Sequence, residues 1–172
     1  MNEISILMNL LSNRKNMREI GATKKEILQK LNISNRDKNI FFYNLITNLS
    51  KYIEPLGLQI KFNPINSHWF ISYDSEISDL ISANPFGDKS RLAATLFCAL
   101  VASLKNPGGI SKVAEIQNLR NKKGVIEDLK ELELLGYVEI AQNSNEVKLT
   151  PLIGYHLDLE ELLIKIALKT KE

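Results

Sequence analysis

The apolar positions of this chain change period in a set order, and that order occurs twice. Ile4, Leu7, Met8 and Leu11 stand at helical spacing within residues 3–13 and predict a first helix. Gly21 and Ala22 interrupt the pattern. Thr23, followed three residues on by Glu26, is a capping box opening a short helix with Ile27, Leu28 and Leu31 inward. Asn32-Ile33 reads as a turn and Ser34 as the cap of a longer helix, which carries Ile40, Phe41, Leu45, Leu49 and Ile53 along one side and stops at Pro55 and Gly57. The period then falls to two. Leu58, Ile60 and Phe62 alternate with Gln59, Lys61 and Asn63 as a half-buried strand, and a second strand over residues 68–73 follows the turn at residues 63–67.

The second half repeats the plan. Residues 74–83 predict a short connecting helix, and Asn84-Pro85-Phe86-Gly87-Asp88 a domain boundary. Leu92 to Leu104 is apolar nearly all round, as a buried central helix would be, and Asn106-Pro107-Gly108-Gly109 ends it. Residues 110–119 predict a short helix. Residues 122–135 predict a third, with Val125, Ile126, Leu129, Leu132 and Leu135 as its inner stripe and Gly136 as its terminator. A hairpin over residues 137–141 and 146–150 follows, then Pro151 and a terminal helix over residues 159–168. The expected fold is α+β, mainly helical: two tandem winged helix-turn-helix domains, residues 1–84 and 85–172, each of three helices plus a β-hairpin wing, with a C-terminal helix.

Charge changes this picture little in total and more in distribution. Of 172 residues, 44% are hydrophobic and 24% charged, an ordinary globular balance, and the net charge of +2 is far below that of a dedicated nucleic-acid binder. The basic residues crowd between Arg14 and Lys38, so any polyanion contact belongs to the first half. Cys98, the single cysteine, sits among apolar neighbours and reads as a small hydrophobe. The first residues carry Glu3 where a secretory leader would be basic, and no apolar run is long enough to span a bilayer, so a cytoplasmic setting is expected and no membrane partner.

Three function classes can be weighed on residues alone. His68 and His156 lack partners at metal-ligand spacing, and no nucleophile elbow, phosphate loop or dinucleotide fingerprint occurs, so no enzyme, metal or cofactor is expected. For nucleic acid, the third helix of the first half offers Asn35, Arg36, Lys38 and Asn39 as candidate DNA contacts; in the second half Arg120, Lys122 and Lys123 stand at the helix start, but Glu127, Asp128, Glu131 and Glu133 follow within three turns and would oppose phosphates. For a protein partner, Phe41, Phe42 and Tyr43 cannot all point one way. The aromatic helix at Phe42 and Tyr43, the hairpin residues Trp69 and Phe70, and Leu159 and Leu163 of the terminal helix are therefore candidate contacts.

Several runs resemble the segregation and condensation protein B family, tandem winged-helix subunits of prokaryotic SMC–kleisin complexes. Leu92-Ala93-Ala94-Thr95-Leu96, running through Asn106-Pro107 to Ile110-Ser111-Lys112-Val113-Ala114-Glu115-Ile116 and Arg120, is similar to the family's apolar helix, turn and Ile-x-x-x-Glu-Ile helix. Val125 to Gly136 is similar to its run into the second wing. Leu56-Gly57-Leu58-Gln59-Ile60 before Trp69-Phe70-Ile71 is similar to its first strand pair. Asn121 replaces the family's usual glycine, and Asn143-Ser144-Asn145 stands in place of a Gly-Arg-Pro, departures from the core bacterial family that mark a divergent, archaeal member of the wider kleisin-interacting tandem winged-helix group. The resemblance implies a nucleoid-associated homodimer, joined through the first domain, that holds a kleisin on the second and acts through it on an SMC ATPase in chromosome condensation and segregation. A winged-helix transcription regulator is the alternative, and an adaptor in polymerase or replication machinery a third reading.

Overall fold

The Thr23–Glu26 capping box forms in both directions. The Glu26 backbone N–H donates to Thr23 Oγ1 at 3.2 Å, and the Thr23 N–H donates to Glu26 Oε2 at 2.7 Å, so two amides that a helix start leaves unpaired are satisfied. It launches α2 (Lys24–Lys30) in a computed structural model that describes residues 3–33, 37–74, 86–106 and 108–169. Before it stand α1 (Glu3–Ser12), a small hairpin of β1 (Arg14–Asn16) and β2 (Glu19–Ile20), and β3 (Ala22–Thr23). After it come α3 (Lys38–Ile53), a single 3-10 turn at Glu54–Leu56, β4 (Leu58–Asn63) and β5 (His68–Tyr73). The sheet order is β3-β5-β4, all antiparallel, with the last strand in the middle.

Helix α3 buries Phe42, Leu45, Ile46, Leu49 and Ile53 against Leu7 and Leu11 of α1 and Ile27 and Leu28 of α2. This corrects the expected stripe. At about 100° per residue, Ile40 lies half a turn away from Leu49, so it faces solvent and is 64% exposed. The β1–β2 hairpin and β3 carry no periodic signal and were not expected. Strand β3 reaches β5 because residue 21 is glycine: with φ +79, its backbone lies so close that a Cβ would meet the Trp69 carbonyl oxygen at 1.9 Å. The proposed Ser34 cap and the connecting helix over residues 75–83 lie outside the described residues.

The second group of elements follows the same order without the β1–β2 hairpin. It comprises α4 (Ser90–Lys105), β6 (Ile110–Lys112), α5 (Val113–Arg120), α6 (Val125–Leu134), β7 (Val138–Ala141), β8 (Glu146–Leu149) and α7 (Leu152–His156), with sheet order β6-β8-β7. Residues 110–112, expected as helix, pair with residues 146–148 as a strand. On α6 the buried stripe is Val125, Asp128, Leu129 and Leu132, while Ile126 and Leu135 are exposed. Gly136 (φ +85) and Gly57 (φ +68) take the left-handed conformation at matching places, each turning a helical end into the first strand of a hairpin.

The chain divides into unit 1, residues 1–83 with 157–172, and unit 2, residues 84–156. The terminal helix α8 (Leu159–Lys169), expected to belong to the second domain, therefore groups with unit 1, where Leu159 is buried and Asp158 Oδ2 stands 3.9 Å from Lys61 Nζ of β4. The fold is α+β, helices with small antiparallel sheets. No helix among the described residues is long and apolar enough to cross a membrane.

Candidate partner-binding surfaces

In unit 1 the register of the sheet gathers the aromatics. Trp69 of β5 pairs with Phe62 of β4 and with Ala22 of β3. Its ring lies 5.1 Å from that of Phe62, 5.4 Å from Phe42 and 6.3 Å from Tyr43, the last two edge to face. Phe42 is fully buried in the core, and Phe70 is nearly fully buried on the sheet face opposite Trp69 and Ile71, so neither is the exposed contact expected of it. Leu159 is likewise buried, while Leu163 is half-buried. Tyr43 is 52% exposed and Trp69 partly so. Of the proposed DNA contacts, Lys38 and Asn39 are exposed at the start of α3; Asn35 and Arg36 lie outside the described residues.

Cations border this aromatic group. The capping box places Lys24 and Lys25 at the start of α2, and Lys24 Nζ lies 4.5 Å from the Tyr43 ring centre and 4.9 Å from that of Phe42. Lys24, Lys25 and Lys38 form no ion pair among the described residues. Lys15, by contrast, donates to Glu26 Oε1 at 2.5 Å and ties the β1–β2 hairpin to α2. That hydrogen bond and the Thr23 amide hold the Glu26 carboxyl well down, at about 2.

Unit 2 presents a different surface. Helix α6 exposes Glu127, Glu133, Ile126 and Leu134, the last at 89%, with Lys130 its single basic residue. Asp128, expected among the solvated carboxylates of this helix, is buried; it accepts from Thr95 Oγ1 at 2.9 Å and lies 2.8 Å from Arg91 Nε. Helix α4 leaves Phe97 and Leu104 exposed, seven positions apart and thus on one face. The Cys98 thiol is pushed up by burial. Burial likewise raises the Tyr137 hydroxyl, which lies 2.7 Å from His156 Nδ1 and so joins the second hairpin to α7. No group of three or more His, Cys, Asp or Glu side chains capable of holding a metal occurs among the described residues.

No family model and no curated protein matches the chain. Among solved structures it is similar to a conserved hypothetical protein from Chlorobium tepidum, with 14% identity, 90% of this chain and 96% of that one covered, and a TM-score of 0.39. At that score the likeness carries no argument about fold or function.

Proposed function

We propose that each unit is a winged helix-turn-helix, and that the chain is a non-enzymatic subunit of a prokaryotic SMC–kleisin complex that self-associates through unit 1 and holds a kleisin segment on unit 2. Both units run helix, short strand, helix, helix, two strands, with the final strand in the centre of each sheet, an order that supports the winged-helix reading. The observation that carries the functional part is the outer face of α6. A DNA reader would crowd cations there; this helix sets Glu127 and Glu133 around a single exposed cation, Lys130, and presents the nearly bare Leu134, a surface that suits a protein groove better than phosphates. Self-association has apolar surface available where α3 ends. Tyr52 and Leu56 are exposed there, as is Tyr73 on the strand residue paired with Leu58, and Lys51 and Glu54 balance each other in charge.

Purification of the tagged chain from its own cells, in moderate salt with nuclease, tests this reading. Mass spectrometry should find a kleisin and an SMC ATPase, and Leu134→Glu combined with Ile126→Glu should lose both. Recovery of the chain alone, or no effect of the double variant, would reject it. DNA contact by α3 of unit 1 is the second reading, favoured by the exposed Lys38 and Asn39; it requires duplex binding with steep salt dependence that Lys38→Ala weakens.

A further inference from the structure

The aromatic group of unit 1 opens into a cavity of about 610 Å³ walled by Tyr43, Phe62, Trp69, Thr23, Lys24 and Lys25. A second cavity, about 460 Å³, shares Lys24 and Lys25 and continues past Leu28 and Ile33 to Lys38 and Asn39. Together they form a track with aromatic walls at one end and three ammonium groups along it.

We propose that this track docks an acidic segment of a partner protein, anchored by one aromatic or large aliphatic side chain seated between Tyr43 and Trp69. Three observations identify the occupant. The aromatic cavity is lined mainly by apolar surface, which suits an anchor side chain. The lysines that edge it lack carboxylate partners among the described residues, and Lys24 is held in place by the ring faces beneath it, so its charge is already positioned for an incoming carboxylate. The chain's own acidic helix start already approaches the same wall: Glu160 lines the cavity and Asp158 pairs with Lys61. A second copy fits poorly, because a two-fold interface would set Lys24, Lys25 and Lys38 against the same residues of its mate.

This inference goes beyond the kleisin reading and is independent of it, since it concerns unit 1 and needs no particular partner on unit 2. Trp69 is the chain's single tryptophan, so its emission reports on the site directly. The full chain is titrated with the peptide Asp-Glu-Asp-Phe-Asp-Glu, with the same peptide carrying Gly for Phe, with its all-lysine counterpart, and with an oligothymidylate. The Phe peptide should give a saturable change that weakens with salt. Lys25→Gln, an exposed change that leaves the core alone, should weaken binding several-fold, and Tyr43→Leu about tenfold. No saturable change at millimolar peptide would overturn the proposal. So would equal binding of the Gly peptide, or tighter binding of the oligothymidylate. Each of these outcomes leaves the kleisin capture unaffected, and failure of that capture leaves this titration unaffected.

Discussion

Thr95 donates its hydroxyl hydrogen to Asp128 across 2.9 Å, and both side chains are withdrawn from solvent. Arg91 Nε stands 2.8 Å from the other carboxylate oxygen, off the N–H axis, so this pair is one of charge more than of hydrogen bonding. Thr95 and Asp128 fasten α4 to α6 inside unit 2, and Arg91 reaches the pair from the surface. Asp128→Ala strands the Thr95 hydroxyl in an apolar setting and should cost about 1–3 kcal/mol. The exposed Arg91 contributes little of that, because solvent screens its side of the pair. Urea unfolding reads the loss, and Thr95→Val in the Asp128→Ala background should add little to it. Fully additive losses would show that the two residues act separately.

Gly21→Ala should destabilise unit 1. The added Cβ meets the Trp69 carbonyl oxygen at 1.9 Å, and the residue must also hold a left-handed backbone, so strand β3 has to move off β5. Left-handed strain alone costs on the order of 1–3 kcal/mol. A lowered melting temperature with shifted Trp69 emission is expected; an unchanged melt would refute the close approach.

Glu26 makes stability depend on acid. Its folded pKa of about 2 lies below the ordinary 4.5, so its contribution is fully present above pH 4.5 and is lost as pH falls from there towards 2. The side chain is two-fifths exposed, which limits the effect to about 1 kcal/mol after screening. Glu26→Gln should flatten the stability profile in that window and lower stability near neutrality by about 1 kcal/mol, the contribution that the carboxylate makes there. An identical slope in the variant would assign the acid sensitivity elsewhere.

Core and surface aromatics of α3 should separate cleanly. Phe42→Ala empties the centre of unit 1 and should cost about 3–5 kcal/mol. Tyr52→Glu, at a side chain 68% exposed, should keep the fold and yield a monomer by sedimentation equilibrium. A folded dimer from Tyr52→Glu would remove that surface from self-association.

The long helices and the β4–β5 and β7–β8 hairpins were legible because they bury one face each, and a buried face imposes its period on the sequence. What escaped was built without periodicity. Strand β3 is two residues long and exists because Gly21 permits contact with Trp69, a tertiary cause invisible in local pattern. Residues 110–112 look helical beside Val113 and Ile116, yet pairing with β8 draws them into a strand. Asp128 was placed on the solvated face because it is charged, although its angular position lies inside the stripe of Val125, Leu129 and Leu132. Phe42 was placed outside for the opposite reason: three consecutive aromatics force a choice, and the one taken inward was Phe42, with Phe41 half-buried and Tyr43 exposed.

The return of α8 to unit 1 bears on how the chain is made. Residues 84–156 leave the ribosome with all the strands and helices of unit 2, so that unit can close while synthesis continues. Unit 1 is completed later: its core lies within residues 4–71, but α8, with the buried Leu159, emerges only after unit 2 is made. For the time it takes to make those intervening residues, seconds at ribosomal rates, the first unit holds its core without its last helix, and a nascent chain stalled between residues 84 and 157 would leave uncovered whatever surface α8 protects.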